Sequence, residues 1–350
     1  MDLQYIQFKQ VNLADPFFDS LKADYSTFCD WFIKKAEDYA YVFFNESGMV
    51  DGFLYLKDEN EAVNDVAPPL PHKNRMKIGT FKINAHGTRM GERFIKKAID
   101  HALHIGSEEI YVTIFPEHDY LTKNLLKYGF QHVANKQTGT KLESVLVKKM
   151  GAFTNDIKKD YPSINIKSRK FLLSLQPRFH SLLLPDSILN NEDPSSIIAD
   201  VSHTNSIHKI YLTAMRGTEH LQRGDSLLIY RTTDQPGRAY YRSVATSVCV
   251  VEEVRNINSF TTQEEFLNYS LSYSIFTEAQ LIDFYRRKKY PTIIKFTYNA
   301  ALKKRVNNAY MIDHLGFAPP YWGFFQLSDE QFFGVLTQGE VNESLIINQT

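Results

Sequence analysis

Between Arg75 and Thr113 the hydrophobic and polar positions change rhythm twice. From Arg75 to Ile83, β-branched and apolar residues (Ile78, Thr80, Phe81, Ile83) are mixed with polar ones, which predicts a strand facing two environments. Asn84-Ala85-His86-Gly87 is turn chemistry, and Thr88 offers an N-cap hydroxyl. Behind it Phe94, Ile95, Ala98, Ile99, Ala102 and Leu103 recur at three- and four-residue spacing, the single apolar face of a helix. Gly106 stands where a left-handed C-cap is wanted, and Glu109–Ile114 reads as the next strand. A parallel strand–helix–strand unit of this kind leaves unpaired N–H groups and the positive end of a helix dipole at its turn, a natural seat for a phosphate or pyrophosphate.

The chain before this unit predicts a strand at Leu3–Val11, then a helix opened by Asp15-Pro16 and continued by Phe17, Leu21, Phe28, Trp31, Phe32 and Ile33. Tyr39–Phe44 and Val50–Lys57 are strands joined by Asn45-Glu46-Ser47-Gly48, a hairpin signal. Residues 58–74, polar and proline-containing, are expected as a long, functional or mobile connection. After the central unit, Pro116-Glu117-His118-Asp119 starts a second helix through Leu121, Leu125, Leu126 and Tyr128, stopped by Gly129. Phe130–Asn135 and Leu142–Lys149 close the first half as strands, for an order β-α-β-β-β-α-β-α-β-β.

Residues 151–168 are expected as an irregular linker. Beyond it the pattern gives strands at Phe171–Ser174, Ile210–Met215, Ser226–Arg231, Arg242–Glu253, Ile293–Tyr298 and Trp322–Leu327. Pro177 opens a short helix, a polar loop spans 186–206, and capping boxes at Thr261-x-x-Glu264 and Thr277-x-x-Gln280 start two more helices. Ser328 caps a last one carrying Phe332, Phe333 and Leu336. Many short strands with interspersed helices suggest a small mixed barrel. The expected organisation is a first domain over 1–150, a linker over 151–168, a second domain over 169–340 and a tail over 341–350.

Composition narrows the classes. At 350 residues, with 43% apolar and 23% charged, the chain reads as two ordinary globular domains, a mixed α/β and α+β protein. Forty basic residues against forty acidic ones leave any nucleic-acid surface to local clustering. Cys29 and Cys249 make no metal-ligand spacing, so no metal is expected and a reducing, cytoplasmic setting is. MDLQYIQFKQ is not a signal peptide and no run approaches a membrane span, so no membrane partner is expected.

The first 150 residues, by element order and two motifs, resemble the GNAT superfamily of N-acetyltransferases. That family's turn before the central helix, Q/R-x-x-G-x-G/A, aligns with His86-Gly87-Thr88-Arg89-Met90-Gly91. Gly91 matches, His86 takes the first position, and Arg89 replaces the middle glycine. The resemblance implies acetyl-CoA as cofactor, with its pyrophosphate on the amides of His86, Gly87, Thr88, Arg89, Met90, Gly91 and Glu92. It also implies a preceding strand that splays from its neighbour, so that the pantetheine arm falls on Phe81, Lys82 and Ile83. The late Tyr128-Gly129-Phe130 is the second signature. Where members often carry a tyrosine four residues before that glycine as general acid, this chain has Leu125.

Acyl transfer from a thioester needs a held carbonyl, a neutral amine and a proton for the leaving thiolate. His118, Tyr120 and Tyr128 are the candidates near the second helix. His118 starts it, where the positive dipole end suits a base. The plainer roles are a cap or cofactor contact for His118 and a packed core residue for Tyr128.

The second half resembles the ASCH group of PUA-like barrels, through Ser174-Leu175-Gln176-Pro177-Arg178-Phe179 and Arg223-Gly224-Asp225-Ser226-Leu227-Leu228-Ile229-Tyr230-Arg231. Relatives use a cleft beside the Gly-Asp turn for RNA or a modified base. The group's usual Gly-Lys-x-x-Glu segment has no counterpart after Leu184. Gly224 and Asp225 would line that cleft. Arg178, Arg216, Arg231, Arg238 and Arg242 would supply phosphate contacts, with Tyr230, Tyr240 and Tyr241 as stacking platforms. A solvated edge strand is the bland alternative for Arg238–Arg242. Together the halves imply an acetyltransferase acting on an amine, with an RNA-linked amine such as a charged tRNA as the preferred acceptor. A protein or small-molecule amine, or a non-catalytic acetyl-CoA sensor, are the alternatives.

Overall fold

A computed structural model describes residues 2–84, 90–187, 206–235 and 237–347. The chain divides into two compact units, Met1–Met150 and Gly151–Thr350.

Unit one is a seven-stranded sheet, β1 (Asp2–Gln7), β2 (Tyr39–Phe44), β3 (Val50–Val63), β4 (Leu70–Ile83), β5 (Glu109–Ile114), β6 (Gln131–Thr138) and β7 (Lys141–Lys149), in the order β1-β2-β3-β4-β5-β7-β6. Every pairing is antiparallel except β4 with β5. The crossover between those two is α3 (Met90–His104), as a parallel pair requires. Its inner face packs tightly on the sheet: a Cβ on Gly52 would lie 2.9 Å from the Phe94 ring. The opposite face carries an aromatic cluster of Phe8, Phe17, Phe18, Phe28, Phe32, Phe53 and Tyr55.

Two expectations for this unit change. Residues 58–74 are mostly ladder rather than loop, because β3 and β4 form one long hairpin in which Glu61 faces Lys73 and Glu59 faces Arg75. Opposite charges directly across a ladder allow a polar segment to be a strand, which a hydrophobic pattern alone does not reveal. The helix expected from Asp15 is broken into a 3-10 turn (Pro16–Phe18), α1 (Asp19–Asp24) and α2 (Phe28–Lys34). The break falls at Tyr25, whose backbone is extended and whose ring packs on Phe115 at 5.2 Å.

At the base of the parallel pair sits a buried ion pair. Arg75 and Glu109 are register partners in β4 and β5. The guanidinium of Arg75, 1% exposed, donates to Glu109 at 2.9 Å and to the Pro71 carbonyl at 2.6 Å, and Lys73 holds the other carboxylate oxygen at 2.6 Å.

Unit two is a six-stranded sheet. Its strands are β9 (Lys170–Leu175), β10 (His208–Thr213), β11 (Ser226–Arg231), β12 (Val244–Asn256), β13 (Thr292–Asn307) and β14 (Phe324–Leu327), in the order β10-β13-β12-β11-β9-β14. The barrel expected here is not closed: among the described residues no ladder joins β10 to β14, and both remain edges. The sheet nevertheless curls. Register shifts along β12 bend it, all six strands send residues into one core cluster, and Gly217 beyond β10 lies against the Phe324 ring of β14. The stretch expected as a linker holds a short helix, Ile157–Asp160, and β8 (Ile164–Asn165), which pairs in parallel with β15 (Ile346–Ile347). Residues 239–242, expected at a loop-to-strand junction, form a short helix. The first capping box shifts by one: Thr262 is the N-cap, accepting from the Glu265 N–H. Among the described residues no helix is long and apolar enough to cross a membrane.

Burial disfavours the charged form of Glu109, but the hydrogen bonds from Lys73 and Arg75 prevail and hold its carboxyl below the usual range. A carboxyl depressed in the folded state stabilises fully above its unfolded value, and that contribution is lost as pH falls through the folded one. Glu109→Ala, which strands the Arg75 charge, is expected to destabilise unit one by about 3–5 kcal/mol in urea unfolding followed by Trp31 fluorescence in a Trp322→Phe background. Between about pH 5 and about pH 3 the melting temperature of the wild type should fall more steeply than that of Glu109→Gln. Parallel slopes would show that the pair is not the acid-sensitive element.

Candidate functional site

The parallel pairing of β4 and β5 runs only from Arg75–Glu109 to Ile78–Val112. Beyond it β4 continues to Ile83 paired with β3 alone, while β5 continues to Ile114 paired with β7. The two strands therefore part, and the backbone edge of β4 from Gly79 to Ile83 is left open toward β5. The parting point has a cause in sequence. Leu56 faces Ile78 and Tyr55 faces Thr80, so Gly79 is the extra residue of a bulge. A Cβ there would lie 2.7 Å from Tyr55 Cδ1, so glycine is what allows the strand to turn against that ring.

Side chains alternate across this open edge. Phe81 meets Phe94 of α3 at 5.5 Å between ring centroids. Lys82 points the other way, donating to the Phe17 carbonyl and to Ser20 and lying 4.8 Å above the Phe17 ring. Burial lowers the pKa of Lys82, partly opposed by Asp19 and Asp24. Ile83 closes the strand, and a Cβ on Gly91 in the first turn of α3 would lie 3.4 Å from its Cδ1. Met90 and Gly91 are buried and Glu92 is half-buried at the start of α3. His86, Gly87, Thr88 and Arg89 lie outside the described residues.

The candidate proton carriers stand apart. His118 is the N-cap residue of α4 (Asp119–Lys127), exposed, with no capping hydrogen bond from its side chain. Tyr120 is 68% exposed in the first turn of α4. Tyr128 is 1% exposed at the C-cap, its carbonyl accepting from Lys148, and Leu125 is fully buried. On the face of the sheet that carries α1 and α2, the structure gathers a different group. Tyr25, from the break between those helices, stacks obliquely on Phe115 just past the end of β5, with its hydroxyl 3.5 Å from Glu143 of β7. Thr138 donates to the other Glu143 oxygen. Burial raises the pKa of Tyr25, and the charges of Glu143, Asp24 and Glu117 raise it further, so the phenol keeps its proton. Tyr25 and Glu143 were not legible as partners, being 118 residues apart. Gly79 did leave a signal, an isolated glycine within a strand pattern.

In unit two the candidate ligand residues separate. β9 and β11 are parallel, so Arg231 and Leu175 end at one edge and Gly224-Asp225 lie a strand length away, roughly 20 Å. Arg216, beyond β10, belongs with the Gly224 end, since Thr213 pairs with Thr292 opposite Asn256. Asp225 is buried and held by Arg169 at 2.9 and 2.6 Å. Tyr230 and Arg231 are buried too; Trp322 covers the tyrosine ring at 5.2 Å. Burial, with Arg231 and Arg305 beside it, lowers the pKa of the inner His180 to about 3. At the Arg231 end, Arg178, Arg238, Tyr240 and Tyr241 are exposed and Arg242 half-buried, 3.3 Å from Asp234. Tyr241 is 72% exposed; Tyr240 donates to Asp313 at 2.5 Å. Among the described residues no group of three or more His, Cys, Asp or Glu is placed to hold a metal ion.

No family model matches the chain, and no curated protein does. Solved structures similar to parts of it include GNAT acetyltransferases and ASCH proteins. A NatC complex bound to Gag peptide and CoA is 18% identical over 43% of this chain and 99% of that one, at a TM-score of 0.29. Naa20 of Chaetomium thermophilum, in complex with a bisubstrate analogue, is 11% identical over 46% and 88%, at 0.32. ASCH from Zymomonas mobilis is 12% identical over 49% and 93%, at 0.28. Likenesses this distant leave the activity to be read from the chain's own geometry.

Gly79→Ala should destabilise unit one by about 1–3 kcal/mol through overpacking against Tyr55. In a double-mutant cycle, Tyr55→Leu should recover part of that loss; strict additivity would mean that the bulge tolerates a Cβ.

Proposed function

We propose that unit one is an acetyl-CoA-dependent N-acetyltransferase and that unit two recognises its acceptor. The observation that carries this reading is the parting of β4 from β5 at Gly79, with α3 starting just past the open strand. An open strand edge suits the amides of a pantetheine arm, which can add to it as an extra strand would. The N-terminal turn of α3, with the small Gly91 against Ile83, suits the diphosphate. Phe81, Lys82 and Ile83 would hold the arm, and Met90, Gly91 and Glu92, with His86, Gly87, Thr88 and Arg89 before them, the diphosphate. Bound there, acetyl-CoA supplies an activated acetyl thioester.

The chain's own residues have the remaining tasks. Backbone N–H groups on the open edge of β4 polarise the acetyl carbonyl. Lys82 ties that edge to the start of α1, which keeps the acceptor side in register with it. His118, at the start of α4, would be the base that receives the acceptor's proton, and the exposed Tyr120 would return one to the leaving thiolate, whereas Tyr128 is packed in the core. The acceptor is an RNA-linked amine such as the amino group of a charged tRNA. Arg178, Arg238 and Arg242, with Tyr240 and Tyr241, support that choice by setting cations and rings at one end of unit two. Arg216, Gly224, Asp225, Tyr230 and Arg231 then serve its shape from within or from the far end.

Saturating acetyl-CoA should raise the melting temperature of the full chain by several degrees, and an unmoved transition removes the cofactor. With labelled acetyl-CoA and cell extract, label should appear on RNA. Label on protein alone would replace the acceptor, and binding without any transfer would make the protein a sensor. His118→Ala should lower turnover at least about tenfold while leaving acetyl-CoA affinity within about twofold; equal losses would make it a contact residue.

A further inference from the structure

An acceptor amine enters as an ammonium, and unit one holds a buried carboxylate suited to receive it. This inference builds on the acyl-transfer reading and adds the class of acceptor. Glu143 is 3% exposed. Of the other buried carboxylates of unit one, Glu109 is matched by Arg75 and Lys73 and Glu59 by Lys57, while Asp15 accepts from the N–H groups of Phe17 and Val50 and Asp51 from the Asn84 amide. Glu143 is held instead by two hydroxyls, those of Thr138 and Tyr25. The neighbouring cation, Lys141, is engaged by Glu117 at 3.1 Å and Asp24 at 3.7 Å and lies over the Phe115 ring. A carboxylate offers about four lone-pair directions, so two hydroxyls leave acceptor capacity, and burial makes a missing cation costly.

The place of Glu143 matters as much as its state. Ser144 pairs with Ile114, the last residue of β5, so Glu143 stands beside Phe115 on the arm of the wedge that leaves β4. Tyr25 and Phe115, with ring centroids 5.2 Å apart and planes inclined by 31°, form an aromatic wall next to it. Aromatic faces attract ammonium groups, most strongly where water is excluded. Asp24, Glu117 and Glu143 outnumber the two cations in their field, Lys141 and the more distant Lys82, and leave a negative field at this point. The same field repels a second carboxylate.

We infer that Glu143, Tyr25 and Phe115 form the receptor for a primary ammonium whose neighbouring carboxyl group is masked as an amide or ester. A free α-amino acid carries its carboxylate within a few ångströms of the amine and is rejected; an aminoacyl ester or a chain N-terminus is not.

The test is equilibrium binding of phenylalaninamide and of phenylalanine to the full chain without acetyl-CoA, by calorimetry. The amide should bind at least about tenfold more tightly than the amino acid, and Glu143→Gln should remove that preference by weakening the amide at least about tenfold. Tyr25→Leu should weaken the amide several-fold, which tests the aromatic wall even if Glu143→Gln fails to fold. Equal binding of amide and amino acid, absence of amide binding, or a folded Glu143→Gln protein that keeps the preference would each overturn the inference. A Glu143-dependent amide site in a chain whose melting acetyl-CoA leaves unmoved would sustain the receptor and overturn the transferase.

Discussion

One strand pair, clamped at its base and released at its top, sets the geometry of unit one. Arg75 and Glu109 fix the register of β4 on β5 with a buried, charge-assisted hydrogen bond that Lys73 completes. Four residues further on, the bulge at Gly79 turns β4 away. Each half needs the other. Without the clamp the strands could slip in register, and a one-residue slip would turn every side chain to the opposite face. Without the bulge the ladder would continue to Ile83 and no open edge would remain. The clamp is costly to break because removing one partner leaves the other charge buried and uncompensated.

The placement of Tyr25 follows from a second local interruption. A continuous helix from Asp15 to Lys34 would carry Tyr25 along its own surface; the break after Asp24 releases that residue to the end of β5. Lys82 then secures the α1 side from below, through the Phe17 carbonyl and Ser20. The α1–α2 segment is thereby tied to β4 through Lys82 and to β5 and β7 through Tyr25. The charge around Tyr25 is uneven, since Glu143 has hydroxyl partners while Lys141 is shared between Glu117 and Asp24.

Unit two shows how a sheet can curl around one core without closing. Register shifts in β12 supply the bend, and hydrophobic side chains from every strand fill the inside, but β14 meets the segment after β10 through the Phe324 ring against Gly217 rather than through a ladder. The curl also decides which arginines and tyrosines face outward. Tyr230 and Arg231 are both buried, on opposite faces of β11, the tyrosine against Trp322 and the guanidinium helping to keep His180 neutral, while Tyr240 and Tyr241 sit exposed on a short helix.

Much of the fold of unit one was legible because its elements obey local rules. The apolar spacing of Phe94 to Ala102, the turn at Asn45–Gly48 and the stop at Gly129 each specify their element without help from distant residues. The polar half of the β3–β4 hairpin was not legible, because Glu59 and Glu61 become strand only when Arg75 and Lys73 stand opposite. The wedge was expected on resemblance, yet its physical origin, a glycine pressed against Tyr55, depends on a contact across the ladder. The sequence by itself determined the order of elements and which faces are apolar, since those follow from periodicity and caps within a few residues. Only the tertiary structure decided that Glu143 meets Tyr25, that Leu125 and Tyr128 are core, and that the sheet of unit two stays open. Those outcomes depend on which distant strands become neighbours, and spacing along the chain does not encode that.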